Sequence, residues 1–282
     1  MMRTAKVAIV RGQSPEAMVR RSLALLGANE LISSKDKVLI KPNYICAKHP
    51  STGVTTDSRV VEALIEFVKE CGCREITVGD GGSGDTDTVF DVVGIRQVAA
   101  QHGVRLIDLN DDERVEVSIP NALALPKVSI AKTVLESTCI INVPKLKVHH
   151  MALVTLCIKN LMGAILPKSI IHGQLNERLA DLASLIRPRI NIIEGIVGSE
   201  LDEVNGKPVR MDLLISGRDI VATDTVGSAV MDIDPGRVGY LSLAEGKDVG
   251  TGELAKIEVL GEPIEKVQRR FKLPYKFERC CA

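Results

Sequence analysis

The chain has 282 residues, with 36 Lys and Arg against 36 Asp and Glu, 45% hydrophobic and only 2% aromatic residues. That length suits one large α/β domain; the balanced charge excludes general nucleic-acid binding, whose affinity comes from neutralising phosphates, and so few aromatics exclude base-stacking surfaces. Seven cysteines, an odd count without a C-x-x-C pair, fit a reducing interior, and no stretch approaches the ~18 apolar residues of a membrane span, so a cytoplasmic protein with no membrane partner is expected.

Strand-like and helix-like segments alternate from the start. Residues 6–11 read as a short apolar strand, turning polar too soon for a signal peptide. A helix follows over 14–26, with Ser14 as cap, Pro15 in its first turn and Gly27 at its stop. Residues 37–41 read as a second strand ending at Pro42-Asn43. Asp57 then caps a helix to residue 70, with Val60, Val61, Leu64, Ile65 and Val68 on one stripe. A third strand over 75–79 ends in Asp80-Gly81-Gly82-Ser83-Gly84. Strands separated by such helices imply crossover connections and a mainly parallel sheet.

The middle is less regular. Residues 105–109 and 114–119 read as short strands joined by a polar turn, and the Pro120 and Pro126 that follow suggest an antiparallel excursion. The parallel pattern resumes at 138–143. A loop at 167–172, a helix at 175–186, strands at 189–194 and 211–216, a helix at 219–231 and a last strand at 256–260 complete the chain. The expected fold class is α/β: a single domain over 1–282 with a mainly parallel sheet flanked by helices, a small inserted lobe at 104–130 and a C-terminal tail at 268–282.

Five strand ends deliver polar groups: Lys41-Pro42-Asn43, the Asp80 glycine loop, Asn142 with Lys145, Glu194-Gly195, and Ser216-Gly217-Arg218-Asp219. Parallel strands would gather these ends at one edge, where α/β sheets hold their ligands. The densest stretch, NVPKLKVHHMALVTLCIKNLMG over 142–163, holds Lys145, Lys147, His149, His150, Thr155, Lys159 and Asn160. Its cations form either a ligand site or a solvated turn leading into a helix. Thr155 and Lys159, four apart on a helix, would share a face. A lysine pressed towards a core must pair or lose its charge, so Lys159 reads as an acid–base or anion-binding group, or else as a snorkelling surface lysine.

Other features leave alternatives open. The glycines after Asp80 suit a phosphate-binding loop, a tight turn presenting Asp80 as acceptor or metal ligand, or a plain turn; they match no nucleotide fingerprint. Thr55, just before the helix that Asp57 caps, either receives an anion or belongs to the cap region alone. Imidazoles near a carboxylate suit zinc or iron, and the metal candidates are His149, His172 and Asp80. Adjacent histidines on a helix diverge, so one of His149 and His150 is expected to face the site. Cys71-Gly72-Cys73 lies away from that edge and reads as structural.

Residues 142–163 resemble the signature of the domain of unknown function 362 family (DUF362). Its Pro-Lys-x-Lys-[Thr]-His element falls on Pro144, Lys145, Lys147 and His149. Its Val-Thr-x-x-x-Lys-Asn-x-x-Gly helix falls on Val154, Thr155, Lys159, Asn160 and Gly163. Lys41-Pro42-Asn43, His172 and the Asp219-Ile220-Val221-Ala222-Thr223-Asp224 helix start extend the likeness over nearly the whole chain. Many relatives are described as iron–sulfur proteins with an added ferredoxin-like module, which the absence of C-x-x-C excludes here. The resemblance leaves the cofactor unknown, an iron–sulfur cluster or a metal being what it offers. Val148 stands where Thr often precedes the His, and residues 201–205 replace a more Gly-rich loop.

These residues together predict a locally positive pocket for a small anionic molecule, a carboxylate or phosphate. Lys145, His149 and Lys159 are the expected catalytic groups, with His149 titrating near neutrality as base or acid. Lys41, Asn43, Thr55, Asp80, Lys147, Thr155, Asn160 and Glu194 are the expected ligand-binding residues, and across both sets the four lysines Lys41, Lys145, Lys147 and Lys159 have few compensating carboxylates. The alternatives are an iron–sulfur-associated redox or electron-transfer accessory protein, with Cys46 the one cysteine near the edge, and a non-catalytic ligand-binding module. A homo-oligomer or a redox partner is compatible with either.

Overall fold

Apolar strands alternating with capped helices set the architecture, in a computed structural model that describes residues 4–278. Cys280 and Cys281, at the end of the expected tail, lie outside the described residues. The strands are β1 (Ala5–Arg11), β2 (Lys37–Pro42), β3 (Glu75–Asp80), β4 (Arg105–Asp108), β5 (Arg114–Ser118), β6 (Lys127–Ala131), β7 (Cys139–Val143), β8 (Lys145–His149), β9 (Leu153–Thr155), β10 (Ile165–Leu166), β11 (Ile190–Glu200), β12 (Lys207–Gly217) and β13 (Ile257–Gly261). Ser14 caps the Pro15–Leu25 helix by accepting the Ala17 N–H, and Asp57 caps Ser58–Glu70 by accepting that of Arg59. The predicted stripe from Val60 to Val68 is buried.

The fold is α/β with a large, mainly parallel sheet flanked by helices. Its order is β13-β1-β12-β11-β7-β2-β3-β4, with β8 continuing beside β11 and β9 pairing β8. Antiparallel pairing is confined to β1–β12, β11–β12 and β8–β9. Apolar clusters lie against it, one centred on β2, β3 and the Ser58–Glu70 helix, the other on β11, β12 and the Leu175–Leu185 and Ile220–Val230 helices.

Three sequence expectations change. β4 is not part of an inserted lobe: it pairs parallel with β3, after the helices Thr86–Val92 and Ile95–His102 that the sequence reading did not resolve. Only β5 and β6 leave the main sheet, joining β10 in a three-stranded antiparallel sheet. The end of β12 points away from the other strand ends, because β11 and β12 form a long hairpin in which Gly217 lies opposite Asn191. Ser216 to Asp219 therefore sits at the far edge. Residues 153–161 are no continuous helix either: Leu153–Thr155 is a strand, and the helix is the single turn Cys157–Asn160.

Residues 43–57 fold across the strand ends and are held there by a close approach. Gly53 has φ +77°, and a Cβ on it would overlap the Gly198 carbonyl of β11. Gly53→Ala is expected to cost about 2 kcal/mol or more from the left-handed backbone and the overlap together. Urea unfolding of the variant measures it; an unchanged midpoint would show that this segment is not held by that approach.

Candidate functional site

The sequence of β8, Lys-Leu-Lys-Val-His, alternates as a strand should. Leu146 and Val148 enter one apolar cluster, while Lys145, Lys147 and His149 share the opposite face, all buried. Buried cations must find partners or lose charge. Lys145 pairs with Glu194 of β11, both fully buried. Glu194 also accepts the Asp57 N–H (3.0 Å) and the Ile196 N–H (2.7 Å). Lys147 donates to the Val54 carbonyl at 2.9 Å, and burial lowers its pKa to about 7.

A second pair sits at the ends of β2 and β3. Lys41 Nζ lies 2.6 Å from Asp80 Oδ1, and Asp80 Oδ2 accepts the Tyr44 N–H at 2.7 Å. A Cβ at Gly163 would strike both members of that pair, which explains a glycine at this position. Two of the four expected site lysines are thus neutralised by carboxylates, contrary to the sequence expectation.

Lys159 differs. It is 8% exposed, and among the described residues its ammonium meets only the Met162 sulfur, at 2.9 Å. Burial lowers its pKa to about 8, with Glu203 opposing. The turn carrying it is held by Asp224, whose carboxylate accepts the N–H groups of Cys157 (2.6 Å) and Ile158 (3.0 Å). Thr155 Oγ1 and Asn43 Oδ1 are buried without a partner among the described residues.

These groups open on a cavity of about 360 Å³. Of the residues expected from sequence, Asn43, Asp80, His149, Thr155, Lys159, Asn160 and His172 line it. Lys41, Thr55, Lys145, Lys147 and Glu194 do not: four form the ionic layer described above, and Thr55 donates to the Lys48 carbonyl. The sequence gives no role to Lys168 or Glu203 and places only one of His149 and His150 at the site; Lys168, Glu203 and both histidines line the cavity. Lys168 donates to Asn110 Oδ1, and burial lowers its pKa against the opposing charge of Asp80. Periodicity marks none of Lys168, Glu203 and His150: the last two sit in turns, and Lys168 opens the short 3₁₀ helix Lys168–Gln174.

His149 is not the neutral-range base expected. Its Nδ1 accepts the N–H groups of Met151 (3.0 Å) and Ala152 (3.2 Å), closing the turn between β8 and β9. A ring accepting at Nδ1 carries its proton on Nε2. Burial, then the charge of Lys159, push its pKa down to about 2. His149 is a fixed neutral N–H donor. The two histidines also do not diverge: they stack with centroids 4.9 Å apart, since they close a hairpin rather than start a helix.

The family described as a domain of unknown function, DUF362, matches residues 38–229. The chain belongs to the DUF362 family. The thylakoid-associated protein sll1697 of Synechocystis sp. is 25% identical over 284 residues, covering 95% of this chain and 87% of that protein. The lactate racemase apoprotein of Thermoanaerobacterium thermosaccharolyticum is 12% identical, with a TM-score of 0.44 over 81% of this chain. The match spans 57% of the racemase chain.

The iron–sulfur association of DUF362 relatives finds no fit here, because no three cysteines among the described residues bring their sulfurs together as ligands. The metal candidates read from sequence do not assemble either: both oxygens of Asp80 are engaged by Lys41 and Tyr44. The set that does converge is His149, His150 and Glu203, within 4.8 Å. Its donors are already committed: Nδ1 of His149 to two backbone N–H groups, and Glu203 to the backbone and ring of His150. Among the described residues no helix is long and apolar enough to cross a membrane.

The ionic layer yields a stability test. Glu194→Gln would leave Lys145 charged and buried without its partner, at a cost of about 3–5 kcal/mol. Adding Lys145→Met removes the stranded charge and should recover part of the loss. Urea titrations of both variants check this; a single variant as stable as the parent would contradict the pairing.

Proposed function

We propose that this DUF362 protein binds a small carboxylate- or phosphate-bearing molecule in the cavity and acts on it by proton transfer through Lys159. The observation carrying this reading is Lys159 itself, nine-tenths buried, with no carboxylate bonded to it among the described residues and facing a cavity. A cation so placed gains most from an anion that enters, because attraction in a site poor in water is strong. Lys168 adds a second positive charge on the lining, and the His149 Nε2–H adds a neutral donor.

A lysine with pKa about 8 is mostly charged at neutral pH yet keeps a free-base fraction of roughly a tenth. It can therefore bind the anion as ammonium, or take a proton from a carbon or oxygen beside it as amine. The redox alternative lacks a thiol set among the described residues. We take the cytoplasm as its compartment, on its five free described cysteines; thylakoid association belongs to the relative's name.

The sign of the pH dependence follows from the lowered pKa. The anion binds the protonated lysine, so affinity is full below about pH 8 and falls as pH rises through it. Titration calorimetry with acetate, a monoanion across the whole range, from pH 6.5 to 9.5 should show affinity dropping, by up to about tenfold per unit, above the lysine pKa. Lys159→Met should weaken binding about tenfold or more at pH 7 and flatten the profile. Equal affinity at both ends of the range, or parental affinity in the variant, would refute the reading.

A further inference from the structure

The cavity wall carries a fixed hydrogen-bond polarity, set by four buried asparagines from different strands and turns. Asn160 Nδ2 donates to Asn142 Oδ1 (2.8 Å) and to the Pro42 carbonyl (3.2 Å). A carbonyl only accepts, so the Asn160 amide cannot be reversed. Its Oδ1 therefore faces Asn43, whose Nδ2 donates to it at 2.9 Å. Asn142 continues the direction inward, donating to the Cys157 carbonyl (3.0 Å) and to Asn191 Oδ1 (3.1 Å). The chain ends in two unpartnered atoms: Asn191 Nδ2 in the core and Asn43 Oδ1, on a residue that is 8% exposed and lines the cavity.

We infer that the anion bound here also carries a hydroxyl group, which donates its hydrogen to Asn43 Oδ1. This rests on the anion reading above and narrows it. Asn43 cannot rotate to offer its NH₂ without breaking the bond to Asn160, so a ligand that packs against this wall and reaches its buried Oδ1 meets an acceptor and must bring a donor. The donor is a hydroxyl rather than an ammonium because Lys159 and Lys168 line the same cavity and outnumber its one carboxylate not paired with a lysine, Glu203, Asp80 being paired with Lys41. Sites with a buried polar group awaiting a ligand hydroxyl reject the analogue that lacks it, since the group is then left unpaired.

Matched probes test this on the full chain at pH 7 by calorimetry: acetate, hydroxyacetate and aminoacetate. Hydroxyacetate should bind about tenfold or more tightly than acetate, and aminoacetate no more tightly than acetate. Asn43→Leu should abolish the preference for hydroxyacetate. Equal binding of acetate and hydroxyacetate, tighter binding of aminoacetate than of hydroxyacetate, or a preference surviving in Asn43→Leu would overturn the hydroxyl assignment and leave the anion site standing. The comparison of probes on the parent protein decides even if the variant does not fold. Failure of both carboxylates and of inorganic phosphate to bind would overturn the anion reading as well.

Discussion

Burying a lysine costs free energy unless its charge is paired or given up, and this chain buries Lys41, Lys145, Lys147 and Lys159 near one edge of its sheet. The carboxylates that answer them also hold the covering segment. Asp80 binds Lys41 and the Tyr44 N–H, and Glu194 binds Lys145 and the Asp57 N–H. Lys147 reaches the Val54 carbonyl in the same segment. Residues 43–57 are thus tied down at both ends and in the middle by the groups that neutralise the lysines beneath them. Pairing and folding of this edge are one problem with one solution.

Lys159 stands outside that solution. Its one-turn helix is fixed by the Asp224 carboxylate from the far side, and its ammonium meets a thioether. A chain with equal numbers of cations and anions therefore still keeps a buried lysine facing a cavity, because the carboxylates that line it, Asp80 and Glu203, are bonded to Lys41 and His150. The neutral His149 and the directed asparagine chain complete a lining in which charge, donor and acceptor positions are each set by neighbours rather than by the side chain alone. Preorganisation of this kind is what an electrostatic binding site requires.

Much of this was legible in the sequence, and the parts that were not have physical reasons. Helix caps at Ser14 and Asp57 and the stripe from Val60 to Val68 could be read because capping and periodicity are local. The cluster of chemistry at 142–163 was visible as composition. Its conformation was not: the alternation of Lys145 to His149 is a strand pattern five residues long, and the apolar residues after it suit a helix equally well. The direction of β12 depends on a hairpin with β11, a contact distant from the polar groups that suggested a common edge. Glu203 lies in a turn and Lys168 at the start of a short 3₁₀ helix, where no period announces a side chain's direction. Pairing of Lys41 with Asp80 and of Lys145 with Glu194 is a property of register, and register is settled between strands.

The site depends on one charge, that of Lys159, held in a buried place with no carboxylate bonded to it among the described residues. The direct measurement is an NMR pH titration of lysine ε-groups in the full chain, with the Lys159 signal assigned through Lys159→Arg. The account predicts a midpoint near 8 for Lys159, well below the ordinary 10.5. A midpoint at 10.5 would mean a solvated or paired ammonium and would contradict the site described here.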